Sequence, residues 1–377
     1  MHKKKISILI PDGEGPVLMI VLNCLSEVKG LKIHVMSDDN DIPMKHSKKV
    51  SKFFYRPKTD SDSDYINNIN DIVKHHSIDL IMPIFEDGIR IITKHKNLIT
   101  DTTKLALLPS YTDFKKAINK GTLTNFLKEL NLPYPKSQIV KTDLKFDISK
   151  VNYPVLIKPV ESAGGGNGIK VFREEKDLIA YLNSDKYNKT HLIQDYIEGY
   201  DIDCSVLCEN GKILAYTIQK PNMFAKSKFA PQISFKFVKE DKIFNQVKIL
   251  MKSLNWSGIA HLDMRYDENA DDFKVVEINP RFWGSLEASL FAGVNFPHLY
   301  CMSSLNEQFA MPDYKLIDFM LMKGLVKSIK NNKSQLLKLK FIFKNTPFKY
   351  MINDLKPTLY RFRSFFLRKT GISKKRN

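Results

Sequence analysis

The sequence is poor in cysteine and tryptophan, and its cysteines are widely spaced. Only four cysteines and two tryptophans occur among 377 residues. No Cys-x-x-Cys pair or histidine cluster accompanies the cysteines, which argues against a structural zinc site or a disulfide framework. We therefore expect buried free thiols in a reducing compartment, at Cys24, Cys204, Cys208 and Cys301.

The sequence also lacks a long hydrophobic run. Near the N-terminus the longest uncharged stretch, residues 15–26, has 12 residues, whereas a membrane-spanning helix needs about 20. Asp12 and Glu14 interrupt the first apolar stretch before it reaches the length of a signal peptide. With 43% apolar and 27% charged residues, the composition is typical of a folded soluble protein of two or three domains, and we expect a cytoplasmic location.

Acidic residues are scarce only at the C-terminal end. The whole chain has a net charge of +18, but residues 313–377 contain 17 Lys or Arg and three Asp, which gives this segment +14 and leaves +4 for residues 1–312. A body that is close to neutral therefore precedes a strongly basic tail, and the two need separate explanations.

The first hundred residues alternate between strand-like and helix-like segments. Apolar runs predict strands at 5–10, 31–37 and 78–84, with helices at 17–28 and 64–76. This alternation indicates a parallel sheet with both faces covered. The turn at 12–16 has two glycines of a dinucleotide-binding loop, but Leu18 stands where that loop needs a small residue for helix packing, so we do not assign that function.

The central part of the chain predicts an α+β unit with antiparallel strands. An Asn-Gly dipeptide between apolar runs indicates a hairpin with its turn at 209–212. We predict helices at 119–130, 174–183 and 241–254, and strands at 154–159, 168–172, 191–197, 258–266 and 273–278.

A cluster of glycines follows the predicted strand that ends at Lys158-Pro159. Four of the five residues from 164 to 168 are glycines, including Gly164, Gly165 and Gly166. Backbone N–H groups without side chains around them suit a loop that covers phosphates, and a lysine at the preceding strand end can add a positive charge. A flexible hairpin loop beside an unrelated lysine is the alternative.

Two carboxylates and an amide lie on neighbouring predicted strands. Glu277 and Asn279 are two residues apart, so their side chains leave the strand on one face. Asp263 can reach that face if its strand pairs with theirs across the acidic turn at 267–272, and Arg281 is also in phase. These oxygen donors suit Mg²⁺ held together with phosphates. The alternative is that they are solvated acids at strand ends.

These segments, taken in order, resemble the ATP-grasp superfamily, which includes biotin carboxylase and D-alanine:D-alanine ligase. The resemblance rests on Asn119-Lys120, LPYP at 132–135, PVLIKP at 154–159, the glycine loop, LIQDYIEG at 192–199, HLDMRYD at 261–267 and VVEINPRFWGS at 275–285. It covers about 105–312, and residues 1–104 fit the α/β domain that precedes this fold in the superfamily.

The resemblance implies a nucleotide site. Lys120 and Lys158 match the two nucleotide lysines, and Gly164, Gly165 and Gly166 match the loop that closes over the β- and γ-phosphates. Asp201 stands where the family usually has Glu for the ribose hydroxyls. The linker that holds the adenine corresponds to Gln194, Asp195, Tyr196 and Ile197, with backbone contacts from Asp195 and Ile197.

The resemblance also implies metal-assisted ligase chemistry. Asp263, Glu277 and Asn279 match ligands of two Mg²⁺ ions, with Mn²⁺ as a substitute, and Arg281 matches the residue that stabilises an acylphosphate. The implied reaction activates a carboxylate with ATP and couples it to an amine, as in peptide, natural-product or surface-glycan synthesis.

Other substrate contacts and partners are weaker expectations. Ser285 lies where some relatives contact the second substrate, and Arg265 or His261 can recognise an acidic substrate or form salt bridges within the sheet. The alternative activities are a carboxylase or carbamoylating enzyme that uses carboxyphosphate, and a nucleotide-responsive binding module at a membrane surface. A homodimer is left open.

The expected fold is a parallel-sheet domain at 1–104 followed by a two-part ATP-grasp domain at 105–312, divided near 197/198, and a basic amphipathic helical tail at 313–377. In the tail, Leu355, Leu359, Phe362 and Phe366 fall on one helical face, away from Arg361, Arg368 and Lys369. Such a face packs on the body or lies on an anionic membrane, on the inner leaflet or near a lipid-linked acceptor. No nucleic-acid motif occurs there, which disfavours nucleic acid.

Overall fold

The structure is a computed structural model that describes residues 5–140, 148, 151–159, 168–184, 190–225 and 231–360. The strands in these ranges are β1 Ile6–Ile10, β2 Leu31–Ser37, β3 Lys52–Tyr55, β4 Leu80–Ile81, β5 Ser137–Val140, β6 Val155–Pro159, β7 Lys170–Phe172, β8 His191–Asp195, β9 Asp201–Glu209, β10 Lys212–Phe224, β11 Gln232–Val238, β12 Gly258–Asp267, β13 Asp272–Asn279 and β14 Asp318–Met320. The α-helices are α1 Leu18–Leu25, α2 Asp62–His75, α3 Glu86–Lys94, α4 Tyr111–Ile118, α5 Lys120–Glu129, α6 Glu175–Leu182, α7 Asp241–Ser253, α8 Leu286–Ala292, α9 Phe296–Ser304, α10 Met322–Asn331, α11 Leu339–Asn345 and α12 Phe348–Asn353.

The N-terminal unit is a parallel sheet in the order β3-β2-β1-β4, which confirms the predicted strand–helix alternation. The last strand is shorter than the predicted 78–84. Proline at position 83 cannot donate to a ladder, and the N–H groups of Ile84 and Phe85 donate instead to the buried Asp12 carboxylate, at 3.0 and 2.7 Å to Oδ2. The residues after β4 therefore turn out of the sheet.

Two antiparallel sheets form the remainder of the fold, in the orders β5-β8-β6-β7 and β13-β12-β9-β10-β11-β14. The β9–β10 hairpin has the predicted turn, in which Asn210 and Gly211 both have positive φ, at 48° and 78°. Both central residues of a type I′ turn need this conformation, which explains the Asn-Gly pair. The core on the six-stranded sheet buries Cys204 and Cys208 of β9, whereas Cys24 on α1 and Cys301 on α9 are buried free thiols of another core cluster.

The C-terminal segment differs from the predicted helical tail. It begins with a strand, because β14 pairs antiparallel with β11 at the edge of the six-stranded sheet. The helices that follow are anchored on the N-terminal unit: Tyr350 Oη donates to Glu27 Oε1 at 2.7 Å, and Ser47 Oγ donates to the buried carboxylate of Asp354. The expectation of a helical tail is therefore wrong for residues 318–320, which form a strand. The alternative that the segment packs on the body is confirmed at Tyr350 and Asp354.

The apolar face predicted for the tail is described only in part. Leu355 and Leu359 lie in the helical residues 355–360 and are exposed, whereas Phe362, Phe366 and the neighbouring basic residues lie outside the described residues. Across the described ranges, no helix has both the length and the apolar character that a membrane span requires.

Candidate active site

A cleft of about 480 Å³ lies between the two antiparallel sheets. Strands β6 and β8 contribute to one wall, and strands β9, β12 and β13 contribute to the other. The structure brings into this one cleft Lys120, Lys158, Gln194, Asp195, Tyr196, Ile197, Asp201, Asp263, Arg265, Glu277, Asn279, Arg281 and Ser285. The remaining predicted site residues, Gly164, Gly165 and Gly166, lie outside the described residues.

The β12–β13 hairpin joins the predicted metal ligands. Asp263 pairs with Glu277 across the hairpin, and Asn279 Nδ2 donates to Glu277 Oε1 at 3.2 Å and to Asp263 Oδ2 at 3.4 Å. The enclosed position of Asp263, together with the charge of Glu277, raises the pKa of the Asp263 carboxyl. A divalent cation beside these oxygens would remove that repulsion, so the donor set fits Mg²⁺.

Two lysines give the same end of the cleft positive charge. Lys120 Nζ lies 3.8 Å from Glu277 Oε2, and its position is fixed because Asn119 caps α5 through the N–H groups of Gly121 and Thr122. Lys158 is buried on β6, and burial lowers its pKa to about 8. Although burial acts in the opposite direction, hydrogen bonding with Asp263 and the charges of both lysines hold the pKa of Glu277 below its ordinary value.

The linker after β8 is held by backbone hydrogen bonds. Asp195 N–H donates to Lys136 O at 2.9 Å, and Tyr196 N–H donates to Pro154 O at 3.1 Å. The Ile197 carbonyl accepts from Arg265 Nε at 2.7 Å. A backbone contact from these residues to an adenine edge would therefore use the carbonyl of Asp195 and the N–H of Ile197.

Arg265 holds this linker against the six-stranded sheet. Besides Ile197 O, its guanidinium donates to Gly199 O at 2.9 Å and forms an ion pair with Asp201. Gly199 has φ of 137°, and a Cβ there would lie 2.1 Å from the carbonyl oxygen of Tyr266, so only glycine allows this approach. Of the two roles considered for Arg265, the structure shows the salt bridge within the protein.

A polar cluster that includes the buried Asp203 and His261 lies beside the predicted metal ligands. Asp203 faces Asp263 in the β9–β12 register, and burial raises its pKa to about 7. His261 Nε2 lies 3.3 Å from Asp263 Oδ1 and Nδ1 lies 2.9 Å from Ser205 Oγ. Burial lowers the pKa of His261 to about 3. Asp203, His261 and Asp263 together could also hold a metal ion.

Sequence analysis does not predict Asp203 as a site residue, although the local spacing of two aspartates points to it. Asp201 and Asp203 are two residues apart at the start of β9, so they lie on one face of the strand. Only the long-range pairing of β9 with β12 places that face beside Asp263. The pairing partner of an isolated strand cannot be read from its own residues.

Ser285 and several apolar side chains also line the cleft. The buried Oγ of Ser285 accepts from Gln219 Nε2 at 2.6 Å. The ring of His261 stacks on that of Trp283, with centroids 5.3 Å apart and an interplanar angle of 11°. The apolar lining includes Phe224, Phe235 and Leu321. Leu321 follows β14, so the C-terminal segment contributes directly to the cleft.

The N-terminal unit also reaches the site, through the residues that follow β4. The Arg281 guanidinium lies over the Phe85 ring, 5.4 Å from its centroid, and Phe282 N–H donates to Ile84 O at 3.3 Å. Arg281 Nη2 donates to Asn279 Oδ1 at 3.1 Å. Burial raises the pKa of Glu86, and Arg281 is the largest influence that opposes this. The N-terminal unit therefore takes part in positioning Arg281.

Comparison with known proteins finds a family match for most of the residues that line this cleft. Residues 117–285 match the ATP-grasp domain family. The chain is 24% identical over 282 residues to a D-aspartate ligase of Enterococcus faecium (68% of this chain, 66% of the relative). It is 27% identical over 201 residues to a D-alanine–D-alanine ligase of Wolbachia pipientis (48% and 63%). The chain thus spans less than two thirds of either relative's own length.

The fold is shared with a solved enzyme over nearly its whole length. The structure of N5-carboxyaminoimidazole synthetase from Staphylococcus aureus, complexed with ADP, superposes with a TM-score of 0.69 at 17% identity, covering 89% of this chain and 87% of that one. This likeness extends the agreement in fold beyond residues 117–285, into the N-terminal sheet and the C-terminal segment. Residues 117–285 therefore match the ATP-grasp domain family, and the fold agrees with that of this solved enzyme over most of the chain.

Proposed function

We propose that the chain is an ATP-dependent ligase that activates a carboxylate as an acylphosphate and couples it to an amine. The observation that carries this proposal is the set of charged and polar groups around Glu277. Its carboxylate lies in one cleft with Asp263, Asn279 and the charged Lys120. Carboxylates beside cations in an enclosed cleft suit a metal–nucleotide complex better than a solvated sheet edge.

ATP would lie between the two antiparallel sheets. Lys120 and Lys158 supply positive charge for its phosphates, and the linker from Gln194 to Ile197 supplies backbone groups for the adenine. Asp201 is already paired with Arg265, so we propose that it contacts the ribose only as a member of that pair. The glycines at 164–166 are proposed to cover the phosphates.

Asp263, Glu277 and Asn279 would hold Mg²⁺, as two ions with Mn²⁺ as a substitute. The metal would supply charge neutralisation on the phosphate oxygens. The Arg281 guanidinium contacts Asn279, Phe282 and the Phe85 ring. Both the six-stranded sheet and the N-terminal unit therefore orient it. It is proposed to stabilise the charge that develops on the reacting acyl group.

The reaction would proceed in two transfers. A carboxylate oxygen of the acid forms a bond to the γ-phosphorus, and the bond from that phosphorus to ADP breaks. The amine nitrogen then attacks the acyl carbon, inorganic phosphate leaves and the nitrogen loses a proton. Water has to be excluded between the two steps, and we propose that the glycines at 164–166 serve this by covering the phosphates.

The apolar part of the cleft lining favours an organic carboxylate over bicarbonate as the acid that ATP activates. Phe224, Phe235 and Leu321 line the cleft together with Ser285, and apolar lining gains more from an apolar side chain than from a small hydrated anion. Carboxyphosphate chemistry remains the alternative activity. Light scattering of the full chain would determine whether it forms a homodimer.

The experiment is ADP release by the full chain, with ATP and Mg²⁺, against a panel of D- and L-amino acids, sugar acids and bicarbonate. We expect turnover with an organic carboxylate plus an amine. Glu277→Ala should lower the rate by about 100-fold or more, since it removes a ligand and a charge that act in the transition state. The matched control is Glu268→Ala, at an exposed acid in the turn of the same hairpin.

Three outcomes separate the activities. Equal rates for Glu277→Ala and the parent protein would exclude the proposed site. Turnover that depends on bicarbonate and incorporates labelled bicarbonate would support the carboxyphosphate alternative. Tight ATP binding without turnover on any acid would support a nucleotide-responsive binding module.

A further inference from the structure

The C-terminal segment exposes large apolar side chains next to lysines. Between the 3₁₀ turn Lys333–Leu337 and the end of α11, the exposed fractions are 83% for Leu337, 61% for Leu339, 53% for Leu336 and 42% for Phe343. Exposed lysines at 333, 338, 340 and 344 are interleaved with them. We call Leu336, Leu337, Leu339 and Phe343, with these four lysines, the apolar–basic surface.

Helix α11 is attached to the body by its other side, which leaves this surface outward. Ile342 is buried, and Asn345 Nδ2 donates to Asp318 O at 2.5 Å. Leu339 and Phe343 are four residues apart, so they share one face of the helix, and Lys340 and Lys344 share the adjacent face. The surface is therefore presented by an anchored element.

The charge on the part of this segment that follows Asp318 is almost entirely positive. Residues 319–360 contain nine lysines and a single acid, Asp354. Asp354 is buried and accepts from Ser47, so it does not offset the lysines at the surface. A partner that covers this region has to offer negative charge and, at the same place, an apolar interior for leucines.

We propose that the apolar–basic surface binds the face of an anionic lipid bilayer. Headgroups supply the negative charge, and the acyl boundary beneath them accepts leucine and phenylalanine side chains. The lysine stems can lie along the apolar boundary while the ammonium groups stay among the phosphates. Nucleic acid fits less well, because its phosphates and grooves offer less apolar surface for four large side chains than the acyl region of a bilayer does. Residues 319–360 also contain no arginine, the residue that makes forked contacts to phosphates and guanine.

This inference does not depend on the proposed ligase activity. A Glu277→Ala protein should bind vesicles as the parent does, so failure of one proposal leaves the other intact. The binding experiment uses the full chain with vesicles of phosphatidylcholine alone or mixed with phosphatidylglycerol, separated by sedimentation. We expect binding to the anionic vesicles that weakens as salt is raised.

Two pairs of substitutions test the two components of the surface separately. The combined Lys338→Gln and Lys340→Gln change should lower the partition coefficient on anionic vesicles about 30-fold at low salt, because each basic residue contributes roughly fivefold. The combined Leu337→Ser and Leu339→Ser change should lower it at least about tenfold through lost apolar contact. The matched control, Ile249→Ser with Lys248→Gln, alters an exposed apolar–basic pair on α7 and should leave binding unchanged.

A labelled cysteine reports insertion directly. The four native cysteines are buried, so a thiol introduced as Leu337→Cys can be modified selectively with an environment-sensitive dye. We expect a blue shift on adding anionic vesicles, and none for Ile249→Cys. A dye that is already in an apolar environment without vesicles would show that another part of the chain covers the surface, which overturns the proposal. Equal binding by all variants, or binding to a DNA or RNA duplex but not to vesicles, would overturn it as well.

Discussion

Among single residues, Arg265 changes its role most between sequence and structure. Its guanidinium holds the linker through Ile197 O and Gly199 O and pairs with Asp201. We predict that Arg265→Ala raises KM for ATP about tenfold, since the loss of two or three hydrogen bonds to the linker leaves the nucleotide-binding backbone misplaced. Steady-state kinetics with each substrate varied in turn would measure this.

The control for Arg265 is Ser285→Ala, another residue of the cleft lining. Ser285 Oγ bonds Gln219, so its loss should alter KM for the acid or amine and leave KM for ATP unchanged. If Arg265→Ala raises KM for the acid alone, Arg265 contacts the substrate and the linker contacts are incidental.

Residues that belong to one hairpin could be predicted, whereas residues brought in by distant strands could not. The pairing of Asp263 with Glu277 follows from two adjacent strands joined by a short acidic turn. Asp203 lies 60 positions earlier than Asp263 in the chain, and Phe85 comes from another domain. Both reach the site only through packing between elements, for which local patterns carry no information.

At the scale of elements, the short strand β14 has an unexpected part in the cleft. It pairs with β11 and places Leu321 in the lining, fixed by the bond from Leu321 N–H to Ile233 O at 3.0 Å. We predict that Leu321→Ala shifts KM for the second substrate severalfold and favours acids or amines with larger side chains, because the wall recedes. A substrate panel compared with Leu316→Ala, an exposed leucine just before β14, measures the effect. A change confined to KM for ATP would contradict this placement.

Helix α8 carries a buried acid that links stability to pH. Burial raises the pKa of Glu287 to about 7, although Asn23 donates to it and Lys49 lies nearby. An acid with a raised folded pKa favours folding below its unfolded pKa, and that contribution is lost as pH rises from about 4.5 to about 7. The cost of the buried charge above pH 7 is up to roughly 3 kcal/mol.

Glu287→Gln removes this titration and keeps an oxygen that can accept from Asn23. We predict that the thermal midpoint of the variant rises relative to that of the parent between pH 5.5 and pH 8. Glu268→Gln, at an exposed acid, should follow the parent at both pH values. If the thermal midpoints of Glu287→Gln and the parent change with pH in the same way, the Glu287 carboxyl is already stabilised in its charged form.

The type of each element could be predicted wherever the hydrophobic periodicity was strong. The prediction failed where a single residue interrupted that periodicity. The strand predicted at 78–84 ends at Ile81 because proline 83 and the Asp12 carboxylate take the following backbone out of the ladder. Strand β14 has only three residues inside a lysine-rich segment, too short to show alternation. Its existence depends on the free edge of β11, which is a tertiary property.

For the whole molecule, the charge imbalance of the sequence conceals a structural connection. The basic segment is divided between an apolar–basic surface facing outward and side chains that join the body, including Tyr314, Phe319 and Tyr350, all buried. Composition correctly separated a near-neutral body from a basic end. It could not show that this end completes the six-stranded sheet and bonds to Glu27 of the N-terminal unit.

A chain ending at Pro312 should therefore be far less stable than the full chain, and not merely detached from a membrane. Each of the three buried aromatic side chains contributes about 1.5–3 kcal/mol, and their combined loss is comparable with the entire stability of a typical protein, about 5–15 kcal/mol. We predict loss of soluble, cooperatively melting protein, measured by calorimetry and sedimentation. Tyr350→Phe, which loses only the bond to Glu27, should cost about 1 kcal/mol. The combined Leu337→Ser and Leu339→Ser variant should melt with the parent, because those side chains are exposed. A truncated chain that melts within a few degrees of the full chain and still releases ADP would mean that the segment is only an appendage.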